Sequence, residues 1–141
     1  MKNKQSGFTL LELMIVVAVI ALIAAMAIPN LRSSLIGSRE AAAIGSMRTI
    51  STAVEQYRIR LGEYPEDLAE LAVENPSLID SELASGERNG YMYELESFPG
   101  GYSCNADPQT APESRFFYID ETGVIRQSEG ESAGPESSPI H

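Results

Sequence analysis

Side chains able to do chemistry are few in this chain, and most are badly placed for it. The single histidine, His141, is the last residue, and the single cysteine, Cys104, has no second thiol. A lone cysteine closes no intrachain disulfide and no multi-cysteine metal site, and a His-based catalytic set cannot be assembled around a terminal residue. Cys104 falls in an alternating apolar pattern and reads as a small buried thiol rather than a reactive one. Asp107 and Asp120 read as turn residues rather than an acid–base pair. Asp120 and Glu121 beside Gly123 offer two carboxylates to a cation, but the turn of a two-stranded hairpin accounts for them more simply. No catalytic residue, metal or cofactor is expected. The carboxylate that stands out is Glu12, because it lies inside an apolar run.

That run covers 8–28, which is 21 residues interrupted only by Thr9 and Glu12. About 20 mainly apolar residues span a bilayer as a helix. Lys2 and Lys4, the only lysines, precede it and favour a cytoplasmic N-terminus with the bulk of the chain across the membrane. An ordinary signal peptide is one reading, since Ala25-Met26-Ala27 is a small-x-small cleavage site after an apolar core. A plain single-pass anchor is a second. Both leave Glu12 unexplained, and a carboxylate in an apolar segment costs about 2.5–3.5 kcal/mol at mid-membrane. A third reading supplies a partner. A cut after Gly7 makes Phe8 a cationic N-terminus, with Glu12 four residues on, one helical turn below, and facing the positive end of the helix dipole. The carboxylate then pairs with its own Phe8 amine or with that of a neighbouring copy.

Residues 7–17, Gly-Phe-Thr-Leu-Leu-Glu-Leu-Met-Ile-Val-Val, resemble the class III signal of type IV prepilins and type II secretion pseudopilins. The resemblance implies cleavage between Gly7 and Phe8 by a prepilin peptidase and N-methylation of Phe8 by the same enzyme. It also implies a role for Glu12 in assembly, where it meets the Phe8 amine of an adjacent subunit. The processed chain would carry eight arginines against twenty acids.

The elements that must position these residues follow from the pattern beyond the run. Pro29 would remove a helical hydrogen bond and crowd the preceding turn, yet a helical stripe resumes after it. Ile44, Met47, Ile50/Ser51, Val54, Tyr57 and Leu61 recur at spacings of three and four, with Arg39, Glu40, Arg48, Glu55, Arg58 and Arg60 largely off the stripe. One helix is expected from about Ser6 to Leu61, kinked or locally melted near Pro29. From Phe8 onward it would run ~80 Å at 1.5 Å per residue. A small domain cannot bury such a helix, so its first half must lie in lipid or against copies of itself. Residues 27–30 resemble the proline-containing turn of pilins, which makes Pro29 the expected helix break. Gly37 and Gly45 are either further soft points or places of close helix approach.

Gly62 suits the end of this helix and Pro65 the start of another, buried through Leu68, Leu71 and Ala72. Asn75-Pro76 breaks that helix, and a further helical turn is expected within 78–84. Strands are expected where Tyr91, Tyr93 and Leu95 alternate, where Tyr102, Cys104 and Ala106 alternate, over 115–120, and at 124–126. The expected fold is α+β: a long N-terminal helix with a small antiparallel sheet packed on its second half, the pilin fold that the resemblance implies over about 5–126. The chain is read as a leader at 1–7, a membrane and filament-core helix at 8–28, a head at 29–126, and a tail at 127–141. The tail is mostly Ser, Glu, Gly and Pro, with Ile140 its one large apolar residue, and is expected to be disordered and dispensable for folding.

Charge separates the two halves. Residues 1–61 carry a net +4 and residues 62–141 a net −14. An acidic bulk is a poor match for nucleic acid, whose affinity depends on Lys and Arg neutralising phosphate. The expected function is structural rather than enzymatic: a subunit of a type IV pilus-like filament, polymerised through its N-terminal helix. A pseudopilin of a type II secretion system is the alternative, and a membrane-anchored or secreted binding domain that never polymerises is the rival from another class. By resemblance, the expected partners are like subunits, the prepilin peptidase, and the assembly platform protein and ATPase. The expected location is the bacterial inner membrane with the head periplasmic, then a pilus or pseudopilus. The chain departs from classical pilins in lacking a disulfide-closed C-terminal loop, and its Asp120-Glu121 turn is a poor likeness of the calcium loop of major pseudopilins.

Overall fold

A computed structural model of the protein describes residues 7–140. The expected leader residues Lys2 and Lys4, the expected helix start at Ser6, and His141 lie outside the described residues. The elements are α1 (Leu10–Leu61), α2 (Leu68–Val73), α3 (Ser81–Ala84), β1 (Glu87–Arg88), β2 (Tyr91–Phe98), β3 (Gly101–Pro108), β4 (Phe116–Asp120), β5 (Arg126–Ser128) and β6 (Ser138–Pro139). The chain divides into two compact units at Leu35.

The first unit consists of α1 up to Leu35 and the three residues before it. Its large apolar side chains, from Leu10 to Leu35, are exposed around the whole helix. A helix apolar on every side is a membrane span or a member of a bundle, and this one is long and apolar enough to cross a bilayer. Pro29, expected to kink or locally melt the helix, lies inside α1, which continues through it without melting. Proline removes one donor from the ladder, the N–H that would serve the Ala25 carbonyl, and the serine hydroxyls beyond it add bonds to later carbonyls rather than replace that one. Ser33 Oγ donates to the Pro29 carbonyl at 3.2 Å and Ser34 Oγ to that of Asn30 at 3.0 Å.

In the second unit, α1 buries Glu40, Ala43, Met47, Ile50, Val54 and Tyr57, at spacings of three and four. Met47, Ile50, Val54 and Tyr57 fall where the stripe places them, but Leu61 is half exposed. Glu40, read as off the stripe, is buried on it. Gly62 ends the helix at φ +84°, its N–H closing onto the Arg58 carbonyl at 2.8 Å. Pro65 is buried but does not open α2. That role falls to Asp67, which accepts from the Glu70 N–H at 3.0 Å as an N-cap. Asp80 caps α3 in the same way, through the Leu83 N–H at 2.9 Å.

The six strands form one antiparallel meander in sequence order. Pro99 and Gly100 turn β2 into β3, so that Phe98 faces Gly101 and Leu95 faces Cys104. Gly100 has φ +94°, a conformation other residues adopt only with strain. Tyr91, Tyr93 and Leu95 of β2 share a buried face with Tyr102, Cys104 and Ala106 of β3 and with Phe117 and Ile119 of β4. This face and the buried stripe of α1 make a single core, tied at one edge by Tyr102, whose hydroxyl donates to Ser51 Oγ at 2.8 Å.

The segment from 127 to 140 is ordered, contrary to the expected tail. β5 pairs with β4 and β6 with β5, so the sheet crosses the boundary expected at 126. The Ala133 carbonyl accepts from Asn105 Nδ2 at 2.8 Å, and the Ile140 N–H donates to the Ile125 carbonyl at 3.0 Å. Ala133 is buried and Ile140 packs on the core. Backbone pairing holds a segment whose side chains alone bury little. The last expected strand begins at Arg126 rather than Val124, with Ile125 as the buried residue before it.

Candidate functional site

The start of α1 brings the chemically distinctive residues together. Thr9 is the N-cap: its carbonyl accepts from the Leu13 N–H at 3.2 Å, and its hydroxyl accepts from the Glu12 N–H at 3.1 Å. The first is the opening intrahelical bond, and the second satisfies a donor that the first turn of a helix leaves without an intrahelical partner. Glu12 is therefore the third helical residue, where a carboxylate is favoured by the helix dipole. The spacing Thr9-x-x-Glu12 is that of a capping box, in which the glutamate side chain reaches back toward the N-cap N–H. The apolar pattern does not mark Thr9 as a cap; the four-residue spacing to Glu12 is its signal in the sequence.

Gly7 and Phe8 precede the cap and are not helical. In the uncut chain the Phe8 nitrogen is a peptide amide, not the amine that the expected cut after Gly7 would set one turn from Glu12. Phe8 lies outside the helix, on the far side of Thr9. Phe8, Leu10, Leu11 and Leu13 are all largely exposed, so the carboxylate stands on an apolar surface without cover from its own chain. Pro29 lies 17 residues further along the same helix and takes no part in this arrangement.

The head holds its acids structurally. Asp120 Oδ1 accepts from the Thr122 N–H at 3.0 Å and from the Thr122 hydroxyl, and the Gly123 N–H closes onto the Asp120 carbonyl at 2.9 Å. This is a turn, as the pattern of residues suggests. Asp107 accepts from Ser132 Oγ at 2.8 Å, fastening the 129–137 segment to β3. Glu40 accepts from the Arg115 backbone N–H at 2.9 Å and from its guanidinium at 2.7 and 3.0 Å. That bidentate pair joins α1 to the segment before β4, and the carboxylate holds the Arg115 pKa above its ordinary value. Burial pushes the Cys104 thiol up to about 12, the opposite of what a reactive thiolate needs. Among the described residues, no three His, Cys, Asp or Glu side chains are grouped to hold a metal ion.

Comparison with known proteins agrees with this division into a terminal motif and a head. The prokaryotic N-terminal methylation motif matches residues 2–28. The chain is 31% identical over 101 residues to the type II secretion system core protein G of Escherichia coli, covering 70% of this chain and 69% of that protein. It is 30% identical over 101 residues to the protein of the same description from Aeromonas hydrophila, covering 71% of each. The type IV major pilin protein PilE1 of Neisseria gonorrhoeae is 34% identical over 76 residues, covering 54% of this chain and 46% of the pilin. No solved structure gives a significant match. With a methylation motif at the exposed start of a long apolar helix and protein G relatives matched over 101 residues, the chain belongs to the family of type IV pilins and type II secretion pseudopilins.

Proposed function

We propose that the protein is a structural, non-enzymatic subunit of a pilus-like filament. A prepilin peptidase cuts it between Gly7 and Phe8 and methylates the new Phe8 amine. Before assembly the subunit sits in the bacterial inner membrane as a single pass, N-terminus cytoplasmic and head periplasmic. The platform protein and ATPase of the machine then add it to a growing filament, where apolar helices from neighbouring subunits replace lipid. Pro29 lies within the part of α1 that changes surroundings in that step, and is the place where the helix would loosen on packing.

The observation that carries this reading is the first unit itself: a helix with apolar side chains exposed on every side and one carboxylate in its first turn. Lipid can cover such a surface, but leaves Glu12 unpaired. A bundle of copies covers it and brings a Phe8 amine to each carboxylate. The test is the mass of the mature N-terminus together with electron microscopy of the sheared surface fraction. Methylated Phe8 and filaments support the reading. A chain starting near Ile28 would establish an ordinary signal peptide, and processed subunits without filaments would establish an anchored domain.

The filament is either an extracellular pilus or the pseudopilus of a type II secretion system, since relatives of both kinds match the chain. Deleting the gene separates the two roles. Loss of exported proteins from the medium marks a secretion subunit, and loss of surface filaments alone marks a pilus.

A further inference from the structure

A cavity of about 470 Å³ opens at the start of the second unit, and three elements build it. Ser38 and Arg39 of α1 line one side, Glu87, Asn89 and Gly90 of the β1–β2 hairpin another, and Thr110 after β3 a third. Arg88 faces Tyr91, so Asn89 and Gly90 are the whole hairpin loop, with φ of +53° and +79°. These are the two left-handed positions of a tight hairpin turn. The Gln109 N–H donates to the Gly90 carbonyl at 2.8 Å and fixes the chain after β3 against that turn. Thr110 Oγ1 in turn accepts from Arg39 Nη1 at 2.8 Å. A Cβ at position 90 would stand 3.0 Å from that Oγ1, so glycine there keeps room for the bond that orients the guanidinium.

The two charges of the cavity do not meet. Among the described residues no carboxylate pairs with Arg39, whose bond is to a neutral hydroxyl, and the neighbouring Glu40 is taken by Arg115. Glu87 has no partner among them either, since the adjacent Arg88 is held by Asp80 at 2.9 Å and Glu82 at 3.6 Å. A cation on one wall and an anion on another, in a space of ligand size, match a small zwitterion. The guanidinium fork suits a phosphate, with the Ser38 hydroxyl and the Asn89 amide as further donors. The Glu87 carboxylate suits a primary ammonium. A quaternary ammonium is held by aromatic faces, and no lining residue is aromatic. Position names the source. Arg39 follows Leu35, the last residue of the apolar unit, by four residues, a stretch of at most about 14 Å. Headgroups occupy about 5–8 Å on each side of the hydrocarbon, so the cavity is within their reach.

We propose that this cavity holds the phosphoethanolamine headgroup of a membrane lipid, with the phosphate on Arg39 and the ammonium on Glu87, while the subunit sits in the bilayer. The inference rests on the membrane-inserted state proposed above and is independent of filament assembly.

The experiment measures lipid binding to the full-length chain in detergent by native mass spectrometry, with phosphatidylethanolamine, phosphatidylglycerol and phosphatidylcholine of matched acyl chains. One phosphatidylethanolamine should bind per chain, about tenfold more tightly than either of the others. Phosphatidylglycerol offers no cation to Glu87, and the phosphatidylcholine ammonium has no proton to donate. Arg39→Gln should weaken phosphatidylethanolamine binding about tenfold or more. Glu87→Gln should weaken phosphatidylethanolamine and leave phosphatidylglycerol as it was, so that the preference disappears. Glu87 has no partner in the fold to lose, so the melting curve of that variant should match wild type. Equal binding of the three lipids by wild type would overturn the proposal, and so would a Glu87→Gln variant that keeps the preference. Soluble glycerophosphoethanolamine that binds as tightly as the lipid would also overturn it, because the ligand would then be a free solute. Reconstitution into vesicles of phosphatidylethanolamine and phosphatidylglycerol separates this inference from the membrane reading. A chain that an alkaline carbonate wash releases would end both; a chain that stays embedded but shows no headgroup preference would end the inference alone.

Discussion

Glu12 was legible in the sequence because a charge in an apolar run has a cost that must be met somewhere. Its helical setting was less legible, since cap geometry depends on where the helix starts and the apolar pattern does not mark that residue. The filament reading makes a sharp demand on it. Glu12→Val removes the cost of placing a carboxylate in the membrane, so insertion and cleavage after Gly7 should persist. Filaments should be lost, because an incoming Phe8 amine would stay charged and unpaired in an apolar bundle. Shear-fraction blotting and electron microscopy of cells carrying only the variant decide the matter, and normal filaments from processed subunits would end the pairing mechanism. Gly7→Val should leave uncut precursor in the membrane, read as an intact mass. In the head, the residue that the sequence hid is Glu40. An acid four residues before Ile44 falls on the buried stripe, but nothing nearby in the sequence points to Arg115, 75 positions away. Breaking that pair strands a partly exposed guanidinium beside a buried stripe. Glu40→Ala should lower the stability of the head by about 1.5–3 kcal/mol, the usual range for a hydrogen bond to a charged group, measured by denaturant unfolding.

At the scale of elements, legibility followed side-chain burial. β2 and β3 could be read because Tyr91, Tyr93 and Leu95, then Tyr102, Cys104 and Ala106, alternate toward one core. β5, β6 and the segment between them could not, because their order comes from the backbone and from contacts with distant residues. Asn105 and Asp107 hold that segment through Ala133 and Ser132, and none of those four residues is apolar enough, or close enough in sequence, to announce the contact. Pro29, a residue that disfavours helix, lies inside one, because the helix on either side is long enough to carry a single missing bond. These observations reverse the expectation that the C-terminal segment is dispensable. Ending the chain at Ser128 removes β6, the buried Ala133 and the packed Ile140. The head should lose about 4 kcal/mol, from roughly 1 kcal/mol for each of the bonds made by Ser132, Ala133 and Ile140 and about the same for the buried Ala133 methyl. A melting curve identical to that of the intact chain would show that this segment lies on the head without supporting it.

The two units meet different solvents, and the whole molecule is built around that difference. Residues 10–35 keep their apolar side chains on the outside, whereas the unit from 36 to 140 has its own core and an acidic surface. A chain beginning at Ile36 should therefore be soluble and folded without detergent, and its alkaline limit should be set by its buried phenols. Burial pushes Tyr91 up to about 12, with the nearby Glu40 charge acting in the same direction, and burial also pushes Tyr102 up to about 12. The ordinary value is near 10. A phenol whose folded value is raised binds its proton more tightly in the folded state. Its contribution to stability is fully present below about pH 10 and is lost as pH climbs through about 12. Each tyrosinate would also be an uncompensated charge inside a body already crowded with acids, so the fold should yield over this window rather than titrate passively. Circular dichroism and tyrosinate absorbance followed together should show one coincident transition between about pH 10 and 12. Tyr102→Phe forgoes the hydrogen bond to Ser51 and should be slightly less stable at neutral pH, yet its alkaline midpoint should move upward because one buried proton no longer has to leave. Tyrosinate absorbance that rises smoothly near pH 10 while the head stays folded would mean that Tyr91 and Tyr102 reach water without unfolding, and that the core between α1 and the sheet is looser than its packing indicates.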